Sequence, residues 1–260
     1  MAHSRLTIEE SPAKSVLMAQ DGPPATSYTL NPYGGCGMGC SYCYVMKYPY
    51  AVEHPLPWGA WVRPKTNAPF LLGKVRAKIW GRNIFVGSAT DPYQYVERQY
   101  RLTRRCLMVL LESNPESVVV HTRSHLILED LELLQAFGDR LRVGFSVPTD
   151  DDRVRRKLEP HAPRIELRLR TMRRLRAAGV KVTASLSPLL YCSPRRFVKL
   201  IKESADGAYM GSMRYLDKTG LQSMERASAY FRSDRYRALV EEMDSRLVEA
   251  GLKKEHAPRK

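Results

Sequence analysis

Cys36, Cys40 and Cys43 stand within eight residues of one another, in the segment TLNPYGGCGMGCSYCY, with the spacing C-x3-C-x2-C. Gly34, Gly35, Gly37 and Gly39 surround them and let the backbone wrap closely around a bound inorganic core. Thiolates at this density suit either zinc or an iron–sulfur cluster. Structural zinc takes four protein ligands, for which His54 is the nearest spare side chain, whereas a cubane held by three cysteines keeps one iron open. Single cysteines are often core residues, but three in a glycine-rich stretch point to ligation rather than packing. Of the two remaining cysteines, Cys106 falls inside the apolar pattern 102–111 and reads as packed. Cys192, beside Tyr191 in YCSPRR, follows an expected strand end, which leaves two readings open: a reactive thiol on the active-site side, or an unreactive loop thiol.

The elements that must position these residues alternate. Short apolar runs suited to buried strands recur at Tyr28–Leu30, Ile84–Val86, Val118–His121, Val143–Val147, Val180–Leu186 and Ala208–Met210. Helical patterns lie among and beyond them at Val96–Leu111, Glu129–Phe137, Ile165–Ala178, Pro194–Glu203 and Asp234–Ala250. In Ile165–Ala178 the apolar Ile165, Leu169, Met172 and Leu175 share a face, arginines occupy other positions, and Gly179 follows as a stop. Strand–helix alternation predicts a parallel sheet, in a barrel or doubly wound. Residues 1–26 read as an arm or linker, 45–80 as an aromatic and proline-rich excursion without a clean period, and 213–260 as a basic segment ending in a helix.

The chain of 260 residues suits one α/β domain and carries a formal charge of +15. Such a charge attracts polyanions through phosphate neutralisation, with nucleic acid the obvious candidate, although arginine-rich helix faces that are merely solvated would give the same count. No run approaches the roughly 20 apolar residues of a membrane span, and the start MAHSRLTIEE lacks the apolar centre of a signal peptide. Clustered cysteines without a disulfide framework suit a reducing compartment, so a cytoplasmic location is expected.

The three-cysteine spacing, with the aromatic Tyr42 before the last cysteine and βα units downstream, resembles the signature of the radical S-adenosylmethionine superfamily. The resemblance implies a partial (β/α)6 TIM-type barrel over residues 27–212, with a [4Fe–4S] cluster loop after the first strand. Cys36, Cys40 and Cys43 would hold three irons, and the open iron would bind the amino and carboxylate groups of S-adenosylmethionine. Electron transfer from the cluster, supplied by a donor such as flavodoxin or ferredoxin, would cleave the cofactor to methionine and a hydrogen-abstracting 5′-deoxyadenosyl radical.

A narrower resemblance, to the spore photoproduct lyase-like branch, is carried by NPYGGCGMGCSYCY, GSATDPYQ, HTRSHLILED, the pair RKLEP and HAPR, and GSMRYLDKTGLQ. By position, Thr90 matches a small hydroxyl residue contacting the cofactor, Arg123 a lysine near its carboxylate, and Ser146 a serine at the next strand end. These residues fall at the carboxyl ends of expected strands, where parallel barrels gather ligand-binding groups. Tyr42, Thr90, Asp91, Arg123 and Ser146 are thus the expected cofactor-binding set, with Asp91 and Tyr93 able to reach ribose or substrate. Their structural alternatives are a turn for Thr90 and Asp91 before Pro92, an Arg123–Glu129 pair, and a small core residue at Ser146. Arg156, Glu159 and Arg168 repeat a charged pattern of the branch and read first as a helix-cap or salt-bridge network.

One departure bears on the substrate. The lyases carry a hydrogen-donating cysteine two residues before the small hydroxyl, where this chain has Ser88, whose O–H bond is too strong to serve a carbon radical. Cys192, with Tyr191, is the substitute donor to consider. The leading function is a radical lyase that repairs a UV photoproduct in DNA. Arg195, Arg196, Arg214 and Lys218 are then candidate phosphate contacts, joined by Arg226, Arg232 and Arg235, with Tyr215, Tyr230 and Phe231 as stacking surfaces. The alternatives are the same chemistry on a peptide, protein or small molecule, and a non-catalytic metal-containing protein that binds nucleic acid.

Overall fold

A computed structural model of the protein describes residues 6–19 and 27–253. Among the described residues ten strands are formed: β1 (Thr7–Ile8), β2 (Leu17–Ala19), β3 (Ser27–Leu30), β4 (Tyr33–Gly35), β5 (Trp61–Pro64), β6 (Asn83–Val86), β7 (Ser117–Thr122), β8 (Leu141–Ser146), β9 (Lys181–Leu186) and β10 (Gly207–Met210). The main sheet runs β10-β9-β8-β7-β6-β3-β2. Every neighbouring pair from β3 to β10 is parallel, and only β2 joins antiparallel. The six strands expected from apolar runs are thus β3 and β6 to β10, side by side in chain order. That is the sheet of a partial TIM-type barrel.

The expected arm over 1–26 contributes two of the strands, since β2 edges the main sheet and β1 runs parallel to β5; its residues 1–5 and 20–26 lie outside the described residues. The aperiodic excursion 45–80 supplies β5, which pairs antiparallel with β4 and closes a second, three-stranded sheet. Short extended pieces this small carry too little alternation to be read from sequence.

Two helices differ from their periodic signal. The pattern Val96–Leu111 breaks at Arg101, which has a positive φ of 50°, between Glu97–Tyr100 and Leu102–Glu112. The break is stabilised by Glu97, whose carboxylate accepts the backbone N–H groups of Thr103 and Arg104, each at 3.0 Å. These are unpaired amides of the second helix's first turn. The pattern Glu129–Phe137 is shorter as a helix, Leu131–Ala136, because the preceding residues His125–Asp130 wind as a 3-10 turn capped by Ser124.

Helices Ile165–Ala177, Pro194–Ser204 and Asp234–Glu249 cover the outer face, where Leu169, Met172, Phe197, Ile201, Met243 and Leu247 join the buried core. Side chains alternate across each strand, so the opposite face receives Phe85, Val119, His121, Arg142, Gly144, Thr183, Ser185 and Tyr209 around one inner cavity. Among the described residues no helix is long and apolar enough to cross a membrane.

Candidate active site

The cysteine loop leaves β4 and is tied down on two sides. Ser41 donates its backbone N–H to the Leu158 carbonyl at 2.9 Å, and Gly37 donates to Gln94 Oε1, also at 2.9 Å. Gly39 takes a φ of +61°, and its Cα lies so near Gly59 that a Cβ on Gly59 would sit 2.8 Å from it, so a side chain there would force the loop open. Cys36, Cys40 and Cys43 line one cavity of about 140 Å3 with Met38, Tyr42, Gly87, Ser88, Thr90, Asp91, His121, Arg123 and Ser146. The expected metal and cofactor residues therefore meet in one place.

Burial raises the pKa of all three thiols, that of Cys43 to about 12, while the Arg123 charge acts against burial at each of them. Thiolates here need positive charge, which metal ligation supplies. His54, the residue that would close a zinc site, is instead stacked on Trp61 at 3.8 Å between ring centroids and lies 3.2 Å from Glu9. Among the described residues no three His, Cys, Asp or Glu side chains could hold a single metal ion. The donor set fits a multi-iron core with one thiolate per iron.

Arg123, at the end of β7, is the hub. Its Nη1 donates to Cys40 Sγ at 3.1 Å, to the Tyr42 hydroxyl at 3.0 Å and to Glu159, and its backbone N–H donates to Asp91 Oδ2 at 2.9 Å. Glu159 is fully buried, accepts the Tyr42 hydroxyl, and takes Arg168 Nη2 at 2.7 Å on its other oxygen. Burial would raise the Glu159 carboxyl, but Arg168 and Arg123 outweigh it and hold it below the ordinary range. Glu129, the alternative partner for Arg123, pairs with Arg98 and Arg101 instead. Of the charged pattern, Glu159 and Arg168 form the buried network, whereas Arg156 is exposed and the buried arginine of that helix is Arg155 on Asp152.

The other cofactor candidates divide by how their polar atoms are used. Ser146 is 1% exposed, lines the cavity, and its Oγ has no hydrogen-bond partner among the described residues. Thr90 accepts Gln94 Nε2 at 2.8 Å and keeps its place on the cavity wall. Asp91 accepts from Thr122 Oγ1 at 2.6 Å, from the Tyr93 N–H and from the Arg123 N–H, so its carboxylate binds the ends of β6 and β7 together. Tyr93 is no ligand candidate: it is buried in the main core with its hydroxyl on Asp130.

Neither Cys192 nor Tyr191 comes to this cavity. Cys192 is packed in the main core, where burial pushes its thiol up to about 12, and Tyr191 is exposed beside Tyr230. Their position beyond a strand end was the signal, but Cys192 is the sixth residue past the end of β9, and the loop brings it into the main core. Arg195 is exposed, and Arg196 is held by Asp150 at 2.7 Å. Arg214 is exposed on the wall of a second cavity, and Lys218 ends the 3-10 turn Leu216–Lys218.

That second cavity, of about 560 Å3, fills the middle of the barrel and shares Tyr42, Tyr44, Ser88, His121, Ser187 and Pro188 with the first. Ser88 and His121 thus stand where the two spaces meet. Ser88 Oγ accepts Asn31 Nδ2 at 2.9 Å. Sequence reasoning gave His121, Gln94, Tyr44 and Arg142 no role, although the alternation along β7 and β8 places His121 on the face of Arg123, and Arg142 on that of Ser146. A third cavity of about 850 Å3 opens at the strand starts, away from the cysteines, with Arg142, Arg173 and Arg176 on its wall.

Comparison with known proteins agrees with this geometry. The family description "Radical SAM superfamily" matches residues 30–203. An uncharacterized protein of Methanocaldococcus jannaschii is 30% identical over 64% of this chain and 62% of its own length. An uncharacterized protein of Mycobacterium tuberculosis (strain ATCC 25618 / H37Rv) is 30% identical over 71% of this chain and 56% of its own. The chain therefore spans less than two thirds of each relative. Spore photoproduct lyase complexed with dinucleoside spore photoproduct superposes with a TM-score of 0.69 at 13% identity, covering 94% of this chain and 79% of the lyase. A lyase variant with bound AdoMet and dinucleoside spore photoproduct gives 0.68 at 13% identity, with the same coverages. At such identity the likeness is one of fold. The family match spans more than half of the chain, so this protein belongs to the radical S-adenosylmethionine superfamily, whose cofactors are a [4Fe–4S] cluster and S-adenosylmethionine.

Proposed function

We propose that the protein is a radical S-adenosylmethionine lyase that repairs a UV photoproduct in DNA by direct reversal, acting in the reducing cytoplasm. In this reading Cys36, Cys40 and Cys43 each hold one iron, and Thr90, Arg123 and Ser146 face S-adenosylmethionine while Tyr42 and Asp91 hold Arg123 in place. The observation that carries the cofactor assignment is the unpartnered, buried Ser146 hydroxyl on the wall that also bears Arg123 and the three cysteines. A buried hydroxyl without a partner is costly unless a ligand completes it. Bound there, the cluster and cofactor would supply a 5′-deoxyadenosyl radical for hydrogen abstraction.

The chain's own residues then have distinct tasks. Arg123, fixed by Glu159, offers a cation to a cofactor carboxylate. Asp91 holds the Arg123 backbone, and Ser88 and His121 stand at the neck where the two cavities meet. DNA as substrate is supported by the charge of +15 and by a fold shared with a lyase bound to a dinucleoside photoproduct. With serine at position 88 and Cys192 off the cavity, no cysteine of this chain serves as hydrogen donor at the neck. That same serine favours a second reading, radical chemistry on a peptide, protein or small molecule.

Anaerobically reconstituted protein should carry one cubane cluster, cleave S-adenosylmethionine reductively in the presence of a flavodoxin- or ferredoxin-type donor, and remove lesions from irradiated thymine-containing DNA. Replacing Cys36, Cys40 and Cys43 together by Ala should abolish all three. Iron retained in that variant would overturn the ligand assignment and revive a non-catalytic metal protein. Full cofactor cleavage without lesion loss would sink the DNA reading and promote the second one.

A further inference from the structure

The interior of a closed TIM barrel is packed with branched apolar side chains. Here the corresponding inward positions on β8 and β9 and just past β10 are Gly144, Thr183, Ser185 and Gly211, and the space they leave is the cavity of about 560 Å3. Gly144 cannot grow a side chain inward, since a Cβ would lie 2.8 Å from His121 Cδ2. Arg142 stands two residues before Gly144 on the same face of β8, with Val119 beside it on β7 and Lys181 on β9. Arg142 is exposed and lines both this cavity and the one of about 850 Å3 at the strand starts, and among the described residues no carboxylate lies within 4.0 Å of it. Cations around it are matched: Lys181 to Asp139 at 2.8 Å, Arg176 to Asp206 at 2.8 Å, and Arg173 to Glu166 at 3.1 Å. Arg142 and the exposed Arg214 are the unmatched pair of the cavity.

We propose that Arg142 is a substrate-binding residue that receives a backbone phosphate of nucleic acid inside the barrel, at the end of the cavity remote from the cysteines. Four residue steps along β8 separate Arg142 from Ser146, a span of about 13 Å. That is longer than one nucleoside, so the phosphate belongs to a nucleotide flanking the reacting one. Phe85, Tyr209 and Tyr215 give the same cavity aromatic faces against which bases stack. A guanidinium suits a phosphodiester because its fork of donors matches two phosphate oxygens. This assignment rests on the nucleic-acid reading of the site, but not on repair chemistry.

The test is binding of a thymidine trinucleotide to the intact, cluster-loaded protein, across a salt series and without reductant. Arg142→Gln should lower affinity about tenfold or more and make the slope of log K against log salt shallower by about 0.7, the value for one phosphate on a single strand. Arg142→Lys should restore much of both, and the melting temperature of Arg142→Gln should equal that of the parent, because no internal partner is lost. A trinucleotide with uncharged methylphosphonate linkages should bind parent and Arg142→Gln alike. Equal affinity and equal slope for the natural trinucleotide in parent and Arg142→Gln would overturn the proposal, as would an undiminished effect of the variant on the uncharged one. The two readings fail separately. Lesion repair by Arg142→Gln with unchanged KM removes the phosphate subsite and keeps repair, whereas Arg142-dependent binding without lesion loss keeps the subsite and removes repair.

Discussion

The two ends of the barrel interior treat charge in opposite ways. At the cysteine end, Arg123, Glu159 and Arg168 are matched to one another, and Tyr42, Asp91 and the Ser146 carbonyl accept from further donors of the two arginines. At the strand-start end, Arg142 faces an open space framed by glycine and hydroxyl residues. A matched buried network is rigid, since moving any member leaves a charge without a partner in a poorly polarisable interior. An unmatched cation in a wet cavity has no such constraint and is free to take a ligand. The contrast teaches that geometry is fixed where a small, invariant cofactor must be aligned, and left open where a larger substrate must enter.

The sharpest way to break that comparison is to remove its central carboxylate. Glu159→Ala leaves Arg168, with no exposed side-chain surface, without a counter-charge, and leaves Arg123 with Asp91 alone, at 4.0 Å. Losing one member of a buried pair costs about 3–5 kcal/mol, which in a domain of this size lowers Tm by on the order of 10 °C. Thermal unfolding followed by circular dichroism at pH 7 reads it. A loss below about 1 kcal/mol, the range of exposed pairs, would show that the cysteine end is as open as the other.

How much of this was legible follows from the same contrast. All six parallel strands announced themselves as apolar runs, because strands covered by helices on one face must be apolar at every second position. The cysteine spacing and the strand-end positions of Thr90, Arg123 and Ser146 were legible too, since ligand groups gather there in parallel barrels. Glu159 was visible as a charged residue but not as the counter-charge of Arg123, since the pair is 36 residues apart and joined only by folding. Of the two readings left open for Cys192 the packed one holds, because a strand end fixes where a loop starts and not where its sixth residue points. Arg142 was missed although strand alternation puts it on the face of Ser146; a lone charge at a strand start reads as solvated until the glycine beyond it is seen to leave room.

At the cofactor end, a smaller loss sharpens the contrast. Arg123→Ala and Ser146→Ala should each weaken S-adenosylmethionine binding while leaving the cluster absorbance intact. Removal of the charged contact at Arg123 corresponds to about 1.5–3 kcal/mol, and removal of the neutral one at Ser146 to about 1 kcal/mol. Calorimetric titration of the cluster-loaded protein measures both. Unchanged affinity in the two variants would mean that the cavity is held together by these residues without being read by them.

The smallest effect falls on His121, which marks the border between the two ends. Burial, helped by the Arg123 charge, lowers its imidazole from 6.5 to about 4, so it is neutral in the folded protein at ordinary pH. Between those two values the unfolded chain binds a proton that the folded chain does not. The contribution of neutral His121 is therefore complete above about pH 6.5 and is lost as the pH falls towards 4. A tenfold weaker hold on the proton corresponds to about 1.4 kcal/mol, but His121 is only partly buried and lines both cavities, so water relieves part of the cost. A net effect of about 1 kcal/mol, or roughly 2–4 °C in Tm, is expected. Carboxylates such as Glu159 lose stability over the lower part of the same range, so the quantity to compare is the fall in Tm from pH 7 to pH 4.5 in the parent and in His121→Gln. A smaller fall in His121→Gln places the dry border at His121. Equal falls would show an imidazole titrating as it does in water, and the open half of the barrel would then extend to the cysteines' own wall.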